Sequence, residues 1–284
     1  MKIVTFRQEP GPVCLGVLSG DEVVTITGAV DLETALLSGG GVDALAGSAR
    51  GARLPLAGAA LLAPLSRPSK VICVGRNYRE HANETGSEVP SEPIFFAKFP
   101  SAITGPTDPI VIPAAAPRRV DYEAELVVVI GRAGHDIAEA SAIDHVAGFM
   151  AGNDVTARDW QLKKNGGQWL LGKTFDTFLP LGPALVTRDE VESLDAVRVR
   201  CRVDGDEVQN DVVASMIFSI PELIAYISRV VTLLPGDLLL TGTPAGVGMS
   251  QSPPRWLQPG QVVETIIEGI GVLTNPVRAA GDPW

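Results

Sequence analysis

The stretch that decides the fold runs from Val120 to Ile130 and reads VDYEAELVVVI. Successive side chains of an extended strand point to opposite faces, so Asp121, Glu123 and Glu125 would share one face. Two like charges about 5 Å apart repel by roughly 3 kcal/mol at an effective dielectric near 20. Such a strand therefore either lies at a solvated acidic edge or holds a divalent cation, and oxygen ligands suit Mg2+ or Mn2+.

Three further charged residues lie in apolar surroundings. Asp154 directly follows an apolar strand, a position at which a ligand side chain is held rigidly. Lys173 is expected either to pair with the acidic cluster or to hold a substrate anion. Lys98 lies within the apolar strand predicted over 92–100, and we expect its ammonium group to extend to the surface rather than to meet an anion.

Residues 76–84 predict a helix that follows a short buried strand over 70–75. Residues three apart share a helix face, so His81 and Glu84 can touch. A carboxylate against an imidazole fixes its tautomer and raises its basicity, which is what a general base needs. The alternative is an exposed His–Glu pair on a polar helix. Further along, TGTPAGVG at 241–248 lacks the lysine of a phosphate loop, and we expect its amides to approach a small carboxylate.

The composition excludes some classes of partner. The chain has 284 residues, 45% of them hydrophobic, and a net charge of −10, which argues against a nucleic-acid surface. We expect no membrane span and no signal peptide. The three cysteines form no CxxC pair, and a reducing compartment follows from their wide spacing. The expected location is therefore cytoplasmic.

Two domains are predicted. Residues 1–65 contain short apolar runs separated by Gly, Pro and Asp, which indicates a small N-terminal β domain with a helix that Asp31 caps. Residues 66–284 hold every candidate site residue and form the predicted catalytic domain.

Five ordered blocks resemble the fumarylacetoacetate hydrolase family and cover nearly all of residues 70–278. The blocks are GRNY at 75–78 with His81 and Glu84, DYEAE at 121–125, GNDVTARD at 152–159, GKTFD at 172–176 and TGTPAGVG at 241–248. The stretch 168–187 most resembles the branch called fumarylacetoacetate hydrolase domain-containing protein 2.

The resemblance implies an α+β fold, a mixed β-sandwich roll with a small N-terminal β domain, and a homodimer. It implies a Mg2+ or Mn2+ ion held by Glu123, Glu125 and Asp154, with Asp121 in the motif but not expected to bind the ion. His81 and Glu84 would form a catalytic dyad on a lid segment, and Lys173 would stabilise an oxyanion. The residues implied in substrate binding are Arg76, Tyr78, Arg158, Gln161 and Thr243.

The reaction that we favour from the sequence is hydrolysis of a carbon–carbon bond in acylpyruvate-type 2,4-dioxo acids, through a pyruvate enolate held by the metal. The same site can decarboxylate oxaloacetate, move a proton between keto and enol forms, or isomerise an unsaturated 2-oxo diacid, since these reactions share an enolate. The resemblance fixes the intermediate and not the bond that is broken. A non-catalytic binding protein of the same fold is the other class, and the presence of His81, Glu84 and Lys173 argues against it.

Overall fold

Strands supply most of the ordered structure in this computed structural model, which describes residues 1–28, 31–38, 41–49 and 51–282. The strands of the described residues are β1 Lys2–Gln8, β2 Val13–Ser19, β3 Glu22–Thr25, β4 Arg53–Pro55, β5 Ala59–Leu62, β6 Val71–Gly75, β7 Ile94–Ala97, β8 Ile103–Thr104, β9 Ile110–Ile112, β10 Val120–Asp121, β11 Ala124–Ile130, β12 Val146–Asn153, β13 Thr156–Ala157, β14 Leu179–Thr187, β15 Arg198–Val203, β16 Asp206–Val212, β17 Leu238–Leu240, β18 Val262–Ile267 and β19 Gly271–Ala279.

The helices are short and lie between the strands. The α-helices are α1 Leu32–Leu37, α2 Gly41–Ser48, α3 Arg79–Glu84, α4 Glu139–Ala142, α5 Arg158–Leu162, α6 Leu170–Lys173 and α7 Ile220–Ser228. Short 3-10 helices occupy Pro100–Ala102, Ile143–His145, Asn165–Gly167, Arg188–Glu190, Val213–Ser215 and Gly248–Ser250. In the part of the chain that the structure describes, no helix has both the length and the hydropathy that crossing a bilayer requires.

Two large mixed sheets form the core. The first has the order β4-β3-β2-β1-β14-β12-β11-β17-β6-β7, with β5 and β8 paired at its side, and the second has the order β16-β15-β18-β19-β9. Strands β11, β12 and β14 of the first sheet pack on β15, β18 and β19 of the second. The predicted mixed β-sandwich is therefore confirmed.

The N-terminal strands β1 to β4 continue the large sheet that contains β11. β1 pairs antiparallel with β14, with Ile3 opposite Leu185. Asp31 caps α1 as expected, because its carboxylate accepts a 2.7 Å hydrogen bond from Thr34 N. The predicted boundary at residue 65 stays a prediction, since residues on both sides of it share one sheet.

The stretch 120–130 is not one continuous strand, so the expectation that Asp121, Glu123 and Glu125 share one strand face is wrong. Val120 and Asp121 pair with β13 in a separate two-stranded sheet. The chain then leaves the extended ladder at Tyr122 and Glu123 and enters the large sheet at β11. There it lies between β12 and β17, and every residue of β11 is buried, which explains the uninterrupted apolar run LVVVI.

The helix predicted over 76–84 begins only at Arg79, as α3. Arg76 has a φ of 57°, a left-handed conformation that a helix excludes. Asn77 is fully buried, and its amide nitrogen donates to Thr241 O at 2.8 Å and Phe218 O at 3.1 Å. The segment between β6 and α3 is thus an anchored turn and not helix.

Candidate active site

Strand direction brings four segments to one edge of the large sheet. β6 and β17 are parallel and both end there, β11 is antiparallel to β17 and begins there, and β12 is antiparallel to β11 and ends there. The residues at these strand ends therefore meet, although Gly75, which ends β6, and Thr241, which follows β17, are 166 positions apart in the chain. Rigid strands on both sides hold the side chains of these segments in place.

Three carboxylates converge at this edge, and we call Glu123, Glu125 and Asp154 the acidic triad. One oxygen from each lies within 4.8 Å of the others, and all three side chains are buried. The backbone keeps two of them together, because Asp154 N donates to Glu123 O at 2.8 Å. The three residues that the sequence predicts as metal ligands are therefore neighbours in the fold.

Two cations from the α5–α6 segment face the acidic triad. Lys173 Nζ lies 2.6 Å from Glu123 Oε2 and 2.7 Å from Asp154 Oδ2, and Arg158 Nη2 lies 2.7 Å from Glu123 Oε1. Burial alone would raise the pKa of Glu123, but the charges of Lys173 and Arg158 outweigh it and lower that pKa to about 2. Lys173 thus pairs with the acidic cluster, which was one of the two expectations for it.

Lys98 does not reach the surface, so the expectation for this residue is wrong. Its side chain is fully buried, and Nζ donates to Asp154 Oδ1 at 2.7 Å and to Val155 O at 3.2 Å. The lysine follows β7 at the edge of the large sheet, and its ammonium group meets the segment that follows β12. Burial is the main cause that lowers the pKa of Lys98, with Asp154 opposing it.

The donor set fits a divalent cation. Among the described residues, no lysine, arginine or histidine forms an ion pair with Glu125, and its Oε2 accepts only the 2.7 Å hydrogen bond from Gly242 N. Burial, followed by the charges of Asp154 and Glu123, raises the pKa of Glu125 well above its usual range. A hard ion held by the acidic triad would supply the missing positive charge, and all-oxygen ligation suits Mg2+ or Mn2+.

Asp121 lies outside the acidic triad and has another role. Its carboxylate accepts hydrogen bonds from Gly248 N at 2.7 Å, from Met249 N at 3.0 Å and from Arg158 Nε at 2.8 Å. With its oxygens occupied in this way, Asp121 connects Arg158 to the loop after β17, and the expectation that it does not bind the ion stays a prediction.

The predicted contact between His81 and Glu84 is present. His81 Nδ1 lies 2.8 Å from Glu84 Oε1, and the imidazole is nearly buried. The other oxygen of Glu84 accepts a 2.9 Å hydrogen bond from Gly246 N, so the carboxylate is held from two sides. This arrangement orients the imidazole and leaves Nε2 as the ring nitrogen that the pair does not use.

Three amides of the loop over 241–248 donate to carboxylates of the chain itself, and the expectation that the loop approaches a small carboxylate of a ligand stays a prediction. The described amides donate as follows: Gly242 N to Glu125, Gly246 N to Glu84 and Gly248 N to Asp121. Gly246 has a φ of 107°, and a Cβ there would lie 1.9 Å from Val208 O, so only glycine fits. The loop therefore holds three carboxylates of the site in position through its backbone amides.

A cavity of about 160 Å³ opens onto these groups. Of the residues predicted to bind substrate, it is lined by Arg76, Arg158, Gln161 and Thr243. It is also lined by His81, Glu123, Glu125 and Lys173. Asp154 and Glu84 lie behind this wall, in contact with Lys173 and His81.

Tyr78 is the predicted substrate residue that the structure does not bring to the cavity. Its side chain is fully buried, and its backbone forms an isolated bridge with Met216. Burial, together with the nearby charges of Glu125 and Asp211, raises the pKa of Tyr78.

Sequence reasoning missed Lys98 as a site residue and Trp169 as part of the cavity wall. Trp169 packs against the end of β6, where a Cβ on Gly75 would lie 2.4 Å from its ring. It also meets Phe96 edge to face at 5.4 Å. Nothing in the local pattern around Trp169 signals this role, because the contact joins segments that are about 94 positions apart.

Comparison with known proteins agrees with this geometry. Residues 70–278 match the family described as "Fumarylacetoacetate (FAA) hydrolase C-terminal", and residues 1–64 match the family described as "Rv2993c-like, N-terminal". A curated relative, "Oxaloacetate tautomerase fahd2, mitochondrial" from Xenopus laevis, is 54% identical over 217 residues, which cover 76% of this chain and 68% of the relative.

Two solved structures extend the comparison to nearly the whole chain. The fumarylacetoacetate hydrolase from Exiguobacterium antarcticum has a TM-score of 0.86 and 36% identity, and covers 98% of this chain and 100% of its own. The 5-carboxymethyl-2-hydroxymuconate delta-isomerase from Mycobacterium smegmatis has a TM-score of 0.81 and 38% identity, with 99% and 100% covered. The chain belongs to the fumarylacetoacetate hydrolase family.

Proposed function

We propose that this chain is a divalent-metal-dependent enzyme that interconverts the keto and enol forms of a small 2-oxo acid, with oxaloacetate as the first substrate to test. The observation that carries the proposal is that Glu123, Glu125 and His81 line one small cavity, with Asp154, the third member of the acidic triad, behind its wall and paired with Lys173. A proton-transfer group and a site for polarising a carbonyl are the two things that enolisation needs.

The ion, when bound, would act as a Lewis acid on the 2-oxo oxygen. Each residue then has a defined part. His81, oriented by Glu84, removes a proton from the carbon beside the carbonyl and returns it to either end of the enolate. Lys173 offsets the negative charge that develops on oxygen, because its ammonium group lies in a buried site where charges are weakly screened.

Charge balance supports an anionic substrate. Four buried carboxylates, Asp121, Glu123, Glu125 and Asp154, face three buried cations, Lys98, Arg158 and Lys173. The carboxylates therefore exceed the cations by one charge, and a divalent ion would leave the cluster with one net positive charge. A bound carboxylate with one negative charge would bring the net charge of the cluster to zero.

The size of the cavity supports a short substrate. Ligand pockets for drug-sized molecules have volumes of roughly 300–1,000 Å³, whereas this cavity holds about 160 Å³. An acid of four or five carbons suits this space better than one with a long tail. The relative in Xenopus laevis that is named an oxaloacetate tautomerase supports the same choice.

Hydrolysis of an acylpyruvate is the second candidate function and is the reaction that the sequence favours. The His81–Glu84 pair supports it, because such a pair can activate water as well as move a substrate proton. Hydroxide would attack the distal carbonyl, and cleavage would leave a pyruvate-like enolate. The same cluster stabilises that enolate in either reaction.

One series of assays distinguishes the two candidate functions from each other and from a non-catalytic binding protein. The purified protein with Mg2+ is given oxaloacetate, acetylpyruvate and fumarylpyruvate; enol absorbance reports tautomerisation, and pyruvate release reports cleavage or decarboxylation. Catalysed enol–keto exchange of oxaloacetate without cleavage of the acylpyruvates supports the proposal. Fast acylpyruvate cleavage with no acceleration of exchange would establish the second candidate. If the protein binds the ion and the oxo acid but turns over none of the three substrates, it is a non-catalytic binding protein.

Two further proposals rest on the sequence alone. We propose a cytoplasmic location, because the wide spacing of the three cysteines indicates a reducing compartment. We also propose a homodimer, which the family resemblance implies. Fractionation of the native cells and light scattering of the purified protein test the two.

A further inference from the structure

Gln209 is a fully buried polar side chain that reaches the site from the second sheet. It lies on β16, a strand at the edge of that sheet, and is 1% exposed. Its Oε1 accepts a 3.0 Å hydrogen bond from Ala124 N, and its Nε2 donates to Thr243 Oγ1 and to Pro244 O, both at 2.8 Å. One amide from the second sheet therefore joins the start of β11 to the loop after β17.

Two side chains take the place of a strand beside Ala124. The ladder between β11 and β17 ends at the pair Val127 and Leu240, so it does not extend to Ala124. The N–H of Ala124 donates to Gln209 instead, and its carbonyl oxygen accepts from Thr243 Oγ1 at 2.9 Å. Buried backbone groups need such partners, because an unpaired one costs free energy comparable to a lost hydrogen bond. Gln209 and Thr243 thus continue the ladder where β17 has ended.

The position of Ala124 connects this support to the acidic triad. Ala124 stands between Glu123 and Glu125, which are two of the three carboxylates of the triad. All three residues share one short stretch of backbone, so a shift of Ala124 would move both carboxylates. A binding constellation works only when its side chains are held within about 0.5 Å of the productive geometry, and hydrogen bonds from residues behind the ligands supply that precision. Gln209 supplies such a bond on the side that β17 has left.

The surroundings of the amide specify glutamine. Ala124 N can only donate and Pro244 O can only accept, so the oxygen of Gln209 faces the first and its nitrogen faces the second. The hydroxyl of Thr243 accepts from Gln209 and donates to Ala124 O, which fixes its orientation at the cavity wall. A glutamate would keep the bond to Ala124 N but would lose both donors.

We propose that Gln209 is a positioning residue of this site, which holds Ala124 and the hydroxyl of Thr243 so that the acidic triad is preorganised for a divalent ion. The inference rests on the proposed function for the ion. It adds a residue of the second sheet to a site whose other members come from the large sheet and the segments that follow its strands. Gln209 acts through the two residues that it holds, since the cavity is lined by Thr243 and not by Gln209.

Gln209→Met tests this role, because methionine keeps the length of the side chain and removes its amide. Mg2+ alone is titrated calorimetrically into the ion-free protein, without an oxo acid, so that the measurement reports the acidic triad and not the substrate. Gln209→Met should bind Mg2+ about 10- to 100-fold more weakly than the original chain, as is typical when a residue that supports a metal ligand is lost.

Asn275→Leu is the matched control. Asn275 lies on β19 of the same sheet, is also fully buried, and its amide donates to Gly105 O at 3.1 Å and to Asp108 O at 2.8 Å. Urea denaturation should show that both variants lose stability, since each leaves buried backbone groups without their partner. Asn275→Leu should nevertheless keep the Mg2+ affinity of the original chain, which a glutamine with a purely structural role would also do when it is replaced.

Thr243→Val is a second test that does not depend on the stability of Gln209→Met, since it removes the other bond to Ala124. It should also weaken Mg2+ binding, and the double variant should lose less affinity than the two single losses combined, because both act through Ala124. Unchanged Mg2+ affinity in either single variant, or an equal loss in Asn275→Leu, would overturn the inference. An original chain that binds no Mg2+ would overturn the inference and the proposed function together. Affinity losses as expected, in a chain that does not tautomerise oxaloacetate, would refute the proposed function alone.

Discussion

Lys98 Nζ lies 2.7 Å from Asp154 Oδ1, and the side chains of both residues are completely buried. Asp154 also accepts from Lys173, so one carboxylate of the acidic triad is held between two lysines. Desolvated charges must be paired, and the loss of one partner leaves the other uncompensated. This relationship makes Lys98 part of the site although it does not line the cavity.

Replacement of Lys98 should therefore destabilise the fold. We expect Lys98→Met to lower the free energy of unfolding by about 3 kcal/mol in the presence of a chelator, since Asp154 loses a buried partner. Urea denaturation measures it. The control is Arg53→Met, which breaks an ion pair with Glu22 that is 61% and 47% exposed, and should cost less than about 1 kcal/mol. Equal small losses in both variants would mean that Lys98 is not a partner of Asp154.

The activity should depend on a divalent ion. A chelator should abolish turnover, Mg2+ or Mn2+ should restore it, and Zn2+ should do so poorly, because the acidic triad has no Cys or His ligand. Calorimetry should find no ion binding in Glu123→Ala or Asp154→Ala. Asp121→Asn should still bind the ion, because Asp121 lies outside the triad. Full turnover in metal-free buffer would refute the site.

The next prediction concerns the proton-transfer group. His81→Ala should lower kcat by about 10²–10⁴-fold while oxaloacetate still binds, because positioned proton transfer is worth about that factor. Glu84→Gln should reduce kcat less, since it keeps a hydrogen bond to the imidazole but loses the charge. Steady-state kinetics and a binding titration separate the two effects. If affinity falls as much as kcat, His81 is a lid or folding residue.

Lys173 should contribute to both binding and turnover. We expect Lys173→Met to lower kcat by roughly 10²–10³-fold, as the loss of an oxyanion donor does, and also to raise KM, because the site loses a positive charge. Lys164→Met is a control from the same segment, since its ammonium group lies over the ring of Trp160 instead. Unchanged kinetics in Lys173→Met would make this lysine a purely structural partner of the acidic triad.

The loop after β17 offers a test of positioning. Gly246→Ala should lower kcat by about 10- to 100-fold, because the added methyl group meets Val208 O and displaces the amide that holds Glu84. Gly260→Ala is the matched control: it also has a positive φ, 91°, but its Cβ would meet nothing within 4 Å. The control should lose some stability and keep its kcat. Similar kcat values in the two variants would mean that the Gly246 amide does not position Glu84 for catalysis.

Much of the site could be read from local pattern. Glu123, Glu125 and Asp154 stand next to apolar runs, and the three-residue spacing of His81 and Glu84 places both on one turn of α3. These signals are local because the residues on one face of a strand or of a helix recur with a fixed period. The resemblance to the family rests on the same blocks, and the comparisons confirm it.

Other features depended on contacts that the chain makes over long separations. The contacts of Asp121 are of this kind, because β10 pairs with β13 and not with the large sheet, and its carboxylate accepts from Gly248 N in the loop after β17. Lys98 was expected at the surface, since an isolated lysine in an apolar strand usually extends to water. Its burial against Asp154 joins segments that are 56 positions apart in the chain, which no local pattern reports.

The sequence by itself indicated the buried central strand and the contact between His81 and Glu84, because each follows from spacing within one element, and the resemblance to the family pointed to the acidic triad. Only the tertiary structure decided which partner each charge has. Lys173 and Lys98 both pair with Asp154, three amides of the loop after β17 donate to carboxylates of the chain itself, and the guanidinium of Arg76 lies over the ring of Trp169. The physical reason is that electrostatic pairing depends on distance in space and on desolvation, and both arise only when strands distant in the chain meet at one edge of the sheet.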